Sequence, residues 1–168
     1  MTPATSASPQ HATAFTTPDD LEVVATREFD APRRTVWQAF TSPEHIPHWM
    51  TGPDGWTMPV CEMDFRVGGK WHYVWRRANG NELDMVGEYR EIVPQERYVN
   101  TENWGADWPE TINTNVFSDT EDGRTLVVST VRFPSKEARD RAIGTGMNSG
   151  WSTSYARLDA YLQSIGAS

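Results

Sequence analysis

Three aromatic residues stand at alternate positions of one short segment, in which Trp71, Tyr73 and Trp75 are separated by His72 and Val74. Alternate side chains of a β-strand share one face of the sheet, so this spacing predicts a row of three large rings on a single face. Such a row either packs as a filled core or forms the wall of a cavity that stacks against an apolar molecule. The pattern alone leaves both interpretations open.

The residues that carry acid–base, nucleophilic or metal chemistry form no comparable pattern. His45 and His48 lie three residues apart and can share a helix face, but two histidines without a third ligand make a poor metal site. His72 is expected to point away from the aromatic row, and the single cysteine, Cys61, is interpreted as a small buried hydrophobe. The chain also has no nucleophile elbow and no glycine-rich phosphate loop. We therefore assign no catalytic residue, no metal site and no cofactor from the sequence.

The composition narrows the class of protein. The chain has 168 residues, of which 38% are hydrophobic and 23% are charged. These values are typical of one globular domain that buries roughly 70% of its unfolded surface. The formal charge of −8 disfavours nucleic acid as a partner, and no apolar run approaches the roughly 20 residues of a membrane span. A single cysteine and the lack of a signal-peptide pattern predict a cytoplasmic location.

The order of the predicted elements indicates an α+β fold. Residues 1–20 are rich in Thr, Ser, Ala and Pro and are predicted to be a flexible tail, so the folded domain is placed at residues 21–165. The pattern predicts a first strand, two short helices, six further antiparallel strands and one long C-terminal helix that starts near residue 135. That helix contains Gly144, Gly146 and Gly150, each costing about 1 kcal/mol relative to alanine. The glycines either permit a bend or leave space above the sheet.

Several short motifs give the chain a resemblance to a known superfamily. They are residues 27–32 (REFDAP), 36–41 (VWQAFT), 63–69 (MDFRVGG), 94–99 (PQERYV), 135–140 (SKEARD) and 155–158 (YARL). The chain resembles the SRPBCC or START-like helix-grip superfamily, which includes Bet v 1-type proteins and polyketide cyclases. Within it, the chain most resembles the branch named after the activator of heat-shock-protein-90 ATPase. The resemblance implies a curved seven-stranded antiparallel sheet wrapped around the C-terminal helix, with two short helices between strands 1 and 2 and a cavity between sheet and helix.

The periodicity of the strands and of the last helix indicates which residues would line that cavity. The inward candidates come from the aromatic strand and its neighbours, from one stripe of the helix and from the loop after the short helices. They are Trp49, Trp56, Cys61, Met63, Phe65, Trp71, Tyr73, Trp75, Met85, Tyr89, Thr111, Asn113, Met147, Trp151 and Tyr155. Thr111 and Asn113, together with Glu102, would add the few polar contacts that ligand sites have.

Three classes of function fit these expectations. The first is a protein that binds a small apolar molecule, aromatic or lipid-like, with Trp71, Tyr73, Trp75 and Trp151 as contact area. The second is an enzyme similar to polyketide cyclases, in which a tyrosine, an arginine or a carboxylate transfers a proton. The third, which the branch name implies, is a protein that binds a chaperone, and we rank it last. The expected partner is a small apolar molecule, and the chain is expected to be a monomer or a homodimer.

Overall fold

The computed structural model describes residues 12–166 and consists of one antiparallel sheet, three α-helices and a 3₁₀ turn. Residues 1–11 of the predicted tail lie outside this range. The strands are β1 (Ala14–Thr16), β2 (Glu22–Phe29), β3 (Trp56–Met63), β4 (Lys70–Arg77), β5 (Glu82–Val93), β6 (Arg97–Glu102), β7 (Thr111–Asp119) and β8 (Thr125–Arg132). The helices are α1 (Arg33–Thr41), the 3₁₀ turn (Ile46–His48), α2 (Lys136–Gly144) and α3 (Met147–Gly166).

The sheet has the strand order β1-β2-β8-β7-β6-β5-β4-β3, and every neighbouring pair is antiparallel. Strands β3 to β8 follow one another as a meander, which their short connections predicted. Strand β2 pairs with β8 at one end of the meander, and β3 is the edge strand at the other end. The segment between β2 and β3, which contains α1 and the 3₁₀ turn, therefore spans the width of the sheet.

The prediction of seven strands is wrong, because β1 adds an eighth. This strand has only three residues and lies within the segment that its composition assigned to the tail. Phe15 pairs with Ala25 of β2, and its ring meets Trp151 of α3 edge-to-face at 5.7 Å. A contact with a helix more than a hundred residues away therefore stabilises this strand, and a local pattern does not reveal it.

A long C-terminal helix is present, but the prediction that it runs unbroken from about residue 135 is wrong, since α2 and α3 are separate. Gly146 stands between them with φ of +89°, a conformation that other residues rarely adopt. Gly146 therefore allows the chain to bend between α2 and α3. The explanation by space applies at Gly150, which borders an open volume between the sheet and α3 and where a Cβ would make only an ordinary contact of 3.8 Å with Pro53. At Gly144 a Cβ would meet nothing within 4 Å.

A filled aromatic core occupies the part of the sheet next to α1. Trp37 of α1 contacts Phe65, Tyr98 and Phe117 edge-to-face, with ring centroids 5.1 to 5.9 Å apart. Leu158 and Leu162 of α3 are fully buried in the same cluster, as are the following residues: Phe29, Val36, Ile46 and Trp49. This packing fixes α3 against the sheet, and the buried aromatic residues of β4 belong to the same cluster. No helix within the described range is long and apolar enough to cross a membrane.

Candidate ligand-binding cavity

A cavity of about 580 Å³ lies between the sheet and α3. Its wall is built by strands β4 to β8, by α3 and by the loops that precede β3, precede β7 and join α2 to α3. Phe40 of α1, Trp56 of β3 and Ala142 of α2 complete it. Sites for small molecules in proteins usually have volumes of roughly 300 to 1,000 Å³. The cavity is therefore large enough to hold a molecule with two or three fused rings.

The structure brings twelve of the fifteen predicted residues to the wall of this cavity. They are Trp49, Trp56, Trp71, Tyr73, Trp75, Met85, Tyr89, Thr111, Asn113, Met147, Trp151 and Tyr155. The other three, Cys61, Met63 and Phe65, pack against the hydrophobic core instead. Cys61 and Met63 lie on the edge strand β3, one strand beyond the row that borders the cavity. Phe65 fills the core near α1, where its ring contacts those of Tyr89 and Tyr98.

The aromatic row of β4 forms a continuous wall. Tyr73 lies between Trp71 and Trp75, with ring centroids at 4.6 and 5.8 Å, and all three side chains are buried. Trp104 then stacks on Trp75 at 5.7 Å with an angle of 14° between the rings. The Trp75 Nε1–H donates a hydrogen bond to the Met50 carbonyl oxygen at 2.6 Å, which ties the wall to the loop after the 3₁₀ turn. Sequence reasoning missed Trp104, because it belongs to a loop without periodicity.

Gly87 of β5 is what allows the Trp71 ring to lie where it does. Gly87 stands opposite Trp71 in the register of β4 and β5. A Cβ at Gly87 would lie 2.5 Å from Trp71 Cζ2 and would collide with the Thr101 carbonyl oxygen. The Trp71 indole nitrogen is buried without a hydrogen-bond partner, so the ring is held by packing alone.

The part of the wall next to Trp104, on strands β6 and β7 of the same sheet, is polar and centres on Glu102. Glu102 of β6 stands opposite Thr111 of β7, so both side chains share the face that borders the cavity. Trp104 Nε1–H donates to Glu102 Oε1 at 3.3 Å, and the Asn113 amide donates a second hydrogen bond to the carboxylate. Thr111 Oγ1 in turn donates to Asn113 Oδ1 at 3.2 Å. Burial raises the pKa of Glu102 from 4.5 to about 7, and the two hydrogen bonds only partly oppose that rise.

A second polar group joins β7 and β8 to α3. Ser129 Oγ donates to Asn115 Oδ1 at 2.6 Å and lies 2.8 Å from the Tyr155 hydroxyl. Burial raises the pKa of Tyr155, so its hydroxyl stays protonated at neutral pH. Sequence reasoning missed Asn115, and also Asn100 of β6, both of which border the cavity. Residues 126–131 include apolar side chains on both faces of β8. The sequence pattern therefore does not show which face of β8 points to the cavity, nor how β8 aligns with its neighbouring strands.

The ionisable groups of the cavity wall are Glu102 and the tyrosines. Burial raises the pKa of Tyr73, Tyr89 and Tyr98, so these hydroxyls are hydrogen-bonding groups and not anions. Beside the cavity, burial raises the pKa of the Cys61 thiol to about 11, which keeps it from acting as a nucleophile at neutral pH. The wall can therefore bury apolar surface, exchange hydrogen bonds and, through Glu102 alone, bind or release a proton near neutrality.

The histidines within residues 12–166 lie away from this cavity. His72 is on the other face of β4, with Nε2 2.9 Å from Asp84 Oδ1. His45 Nδ1 lies 2.6 Å from the Tyr161 hydroxyl, and the His48 ring stacks on Tyr161. In the same part of the chain, no three His, Cys, Asp or Glu side chains are grouped closely enough to hold a metal ion.

Comparison with known proteins identifies the family. A sequence model described as "Activator of Hsp90 ATPase homolog 1-like protein" (AHSA1) matches residues 30–163. The chain belongs to the AHSA1-like family. The matched range contains every residue that borders the cavity, so the cavity is built from the family domain alone. No curated protein matches the chain significantly.

Solved structures show how widely the AHSA1-like fold of this chain recurs. A Rhodobacter sphaeroides protein is 26% identical, with a TM-score of 0.86 over 91% of this chain and 99% of that one. A Chromobacterium violaceum protein is 27% identical, with a TM-score of 0.74 over 86% of this chain and 99% of that one. An AHSA1-like protein from Aeromonas hydrophila is 17% identical, with a TM-score of 0.70 over 84% and 94% of the two chains. These similarities confirm the helix-grip resemblance of the AHSA1-like chain at the level of its fold.

Proposed function

We propose that this AHSA1-like domain binds a small, mainly apolar molecule with an aromatic ring system in the cavity between the sheet and α3. One observation carries the proposal: seven of the eight tryptophans of the chain border the cavity, and only Trp37 does not. A flat guest would find stacking and edge-to-face partners on several sides, each pair contributing about 0.5 to 1.5 kcal/mol beyond the burial of its area.

The size of the cavity argues against a purely structural role for these rings. Protein cores are close-packed, and their voids are rarely larger than a water molecule. A space of about 580 Å³ is far larger than such voids, and an apolar guest would supply the contacts that its lining lacks. Apolar cavities in proteins bind apolar guests for this reason.

A neutral fluorescent dye tests the proposal. N-phenyl-1-naphthylamine emits strongly only in apolar surroundings, and it should accept energy from the tryptophans of the wall when it binds. Gly150 borders the cavity and lies in helix α3, so Gly150→Leu should project a side chain into the space. Gly144, at the end of α2, is exposed and does not border the cavity, so Gly144→Leu is a matched control.

We expect Gly150→Leu to weaken dye binding by about tenfold or more, because it occupies volume that the dye needs. Gly144→Leu should leave the dissociation constant within about twofold of the wild-type value. Binding that is equal in both variants would show that the dye lies elsewhere on the protein. A lack of response to this dye and to a broad set of neutral aromatic compounds would refute the proposal.

Glu102 supports a second candidate, an enzyme that transfers a proton within the same cavity. A carboxyl group whose pKa lies near 7 is suited to general acid–base catalysis at neutral pH. In that case, Glu102→Gln would abolish turnover of a substrate while leaving its affinity nearly intact. Chaperone binding, the third class, rests on the family name alone.

Location and assembly are also proposals. We propose a cytoplasmic location because the one cysteine, Cys61, is a free thiol, as is usual in reducing compartments. The prediction of a monomer or homodimer stays a prediction, and sedimentation at several protein concentrations would decide between the two states.

A further inference from the structure

The charged side chains that border the cavity are of one sign only, negative. Among the residues that border it within positions 12–166, Glu102 is the one carboxyl group, and there is no lysine, arginine or histidine. The remaining ionisable groups of the wall are tyrosines that stay neutral: Tyr73, Tyr89, Tyr98 and Tyr155. A guest that enters the cavity therefore meets a single negative charge and no positive one.

Basic side chains approach the wall only from outside. The guanidinium groups of Arg77 and Arg141 lie over the rings of Trp56 and Trp108 at 5.3 and 3.9 Å, and both side chains are exposed to solvent. Arg157 hydrogen-bonds to Thr51 and is paired with Asp54, and Arg27, which influences Tyr155, is paired with Asp159. None of these arginines borders the cavity, so none is placed to neutralise the Glu102 carboxylate from within it.

The surroundings of Glu102 fit a cation. The carboxylate accepts hydrogen bonds from Trp104 and Asn113, and a carboxylate has about four positions at which it accepts. The Trp104 indole reaches the carboxylate through its N–H edge and stacks on Trp75, and aromatic rings attract ammonium groups over their faces. A carboxylate next to two stacked tryptophans, in a cavity without competing bases, is a combination that suits a protonated amine.

We propose that the ligand of this cavity carries a protonated amine, that Glu102 receives it, and that organic anions are excluded. The inference rests on the proposed ligand binding and specifies the chemical class of the ligand. An ammonium group beside Glu102 replaces a half-buried carboxylate without a cationic partner by an ion pair with hydrogen bonds. A carboxylate at the same place would put two negative charges into one poorly solvated space with no counter-charge.

Three probes with the same ring system separate these outcomes: 2-(2-naphthyl)ethylamine, 2-(2-naphthyl)ethanol and 2-naphthylacetic acid. Their binding would be titrated by quenching of tryptophan fluorescence at about pH 8, where the amine is protonated and Glu102 is ionised. We expect the amine to bind about 10- to 100-fold more tightly than the alcohol, because hydrogen bonds to charged groups have that strength. The acid should bind about tenfold more weakly than the alcohol, or not at all.

Two variants assign the preference to one residue. Glu102→Gln keeps the shape of the side chain and removes its charge, so the amine and the alcohol should then bind within about threefold of each other. Glu110→Gln removes one charge at an exposed position outside the cavity wall, and it should keep the wild-type preference. Lowering the pH to about 5.5 should reduce the preference in the wild type, because Glu102 becomes protonated while the tyrosines do not change.

The outcomes distinguish this inference from the proposed function. If the alcohol binds and the amine binds no better, the inference is overturned while ligand binding stands. A preference that survives in Glu102→Gln also overturns it, since the selectivity then has another source. If none of the three probes binds to the wild type while the neutral dye does, the inference is overturned and ligand binding stands. If the dye and a broad set of neutral aromatic compounds also fail to bind, the proposed function is refuted as well.

Discussion

Replacing Glu102 with glutamine should stabilise the protein at neutral pH, and the gain should disappear in acid. Burial raises the pKa of this carboxyl from 4.5 to about 7 in the folded state. At pH values between about 4.5 and about 7, the folded state therefore binds more protons than the unfolded state. The free energy of unfolding therefore falls as the pH rises from about 4.5 to about 7, and it is constant with respect to this group outside that window. A glutamine does not titrate, so the variant does not show this fall.

The size of the effect follows from the same two values. The difference between 4.5 and about 7 corresponds to at most about 3 kcal/mol of unfolding free energy. Water that enters the cavity reduces the cost of the buried charge, so we expect about 2 kcal/mol at pH 8. The glutamine of Glu102→Gln still has an amide oxygen that can accept a hydrogen bond from the Trp104 indole N–H. The loss of this hydrogen bond therefore does not contribute to the difference in stability between the variant and the wild type.

Urea unfolding, followed by tryptophan fluorescence from about pH 4 to pH 8, measures the effect directly. The difference in unfolding free energy between Glu102→Gln and the wild type should increase across this range by about 2 kcal/mol. Glu110→Gln, an exposed control, should run parallel to the wild type within about 0.5 kcal/mol. If the curves for Glu102→Gln and the wild type are parallel, or diverge towards acid, the assignment of Glu102 as a buried, destabilising carboxylate is refuted.

Three further predictions concern glycines and the cysteine. Gly87→Ala should lower the unfolding free energy by about 3 kcal/mol in urea titrations, because the new Cβ collides with the Thr101 carbonyl oxygen. Gly146→Ala should cost about 1 kcal/mol through its positive φ, whereas Gly150→Ala should add about 0.5 to 1 kcal/mol, because that helical position is open. Cys61 should react far more slowly with Ellman's reagent at about pH 8 in the folded protein than in urea, since burial raises its pKa to about 11. Equal rates in the two states would contradict this.

The sequence predicted the aromatic wall because its information is local. The alternation of Trp71, Tyr73 and Trp75 needs only the period of a strand, and the structure places all three on one face. The stripe on α3 was accessible for the same reason, since Trp151 and Tyr155 are one helical turn apart. Periodicity identifies the face on which a side chain lies, and it does so without knowledge of the partner strand.

The polar half of the cavity could be predicted only in part, because it depends on pairing between distant strands. Asn115 and Ser129 meet only through the register of β7 with β8, and a shift of one residue would separate them. The three-residue strand β1 depends in a similar way on contact between Phe15 and Trp151. The break at Gly146 had a local signal, but that signal supported a bend and extra space equally.

The distribution of the tryptophans explains how the fold can keep such a space open. Aliphatic side chains would relax into a void, whereas indole rings are large, have few rotamers and can be fixed by their N–H groups. Trp49 donates to the Ala39 carbonyl at 3.0 Å, Trp75 to the Met50 carbonyl and Trp104 to Glu102, so three rings of the wall are tied to α1, to a loop and to β6. The same rings that would contact a guest therefore also resist the collapse of the cavity in its absence, and the cavity would need little rearrangement to accept a guest.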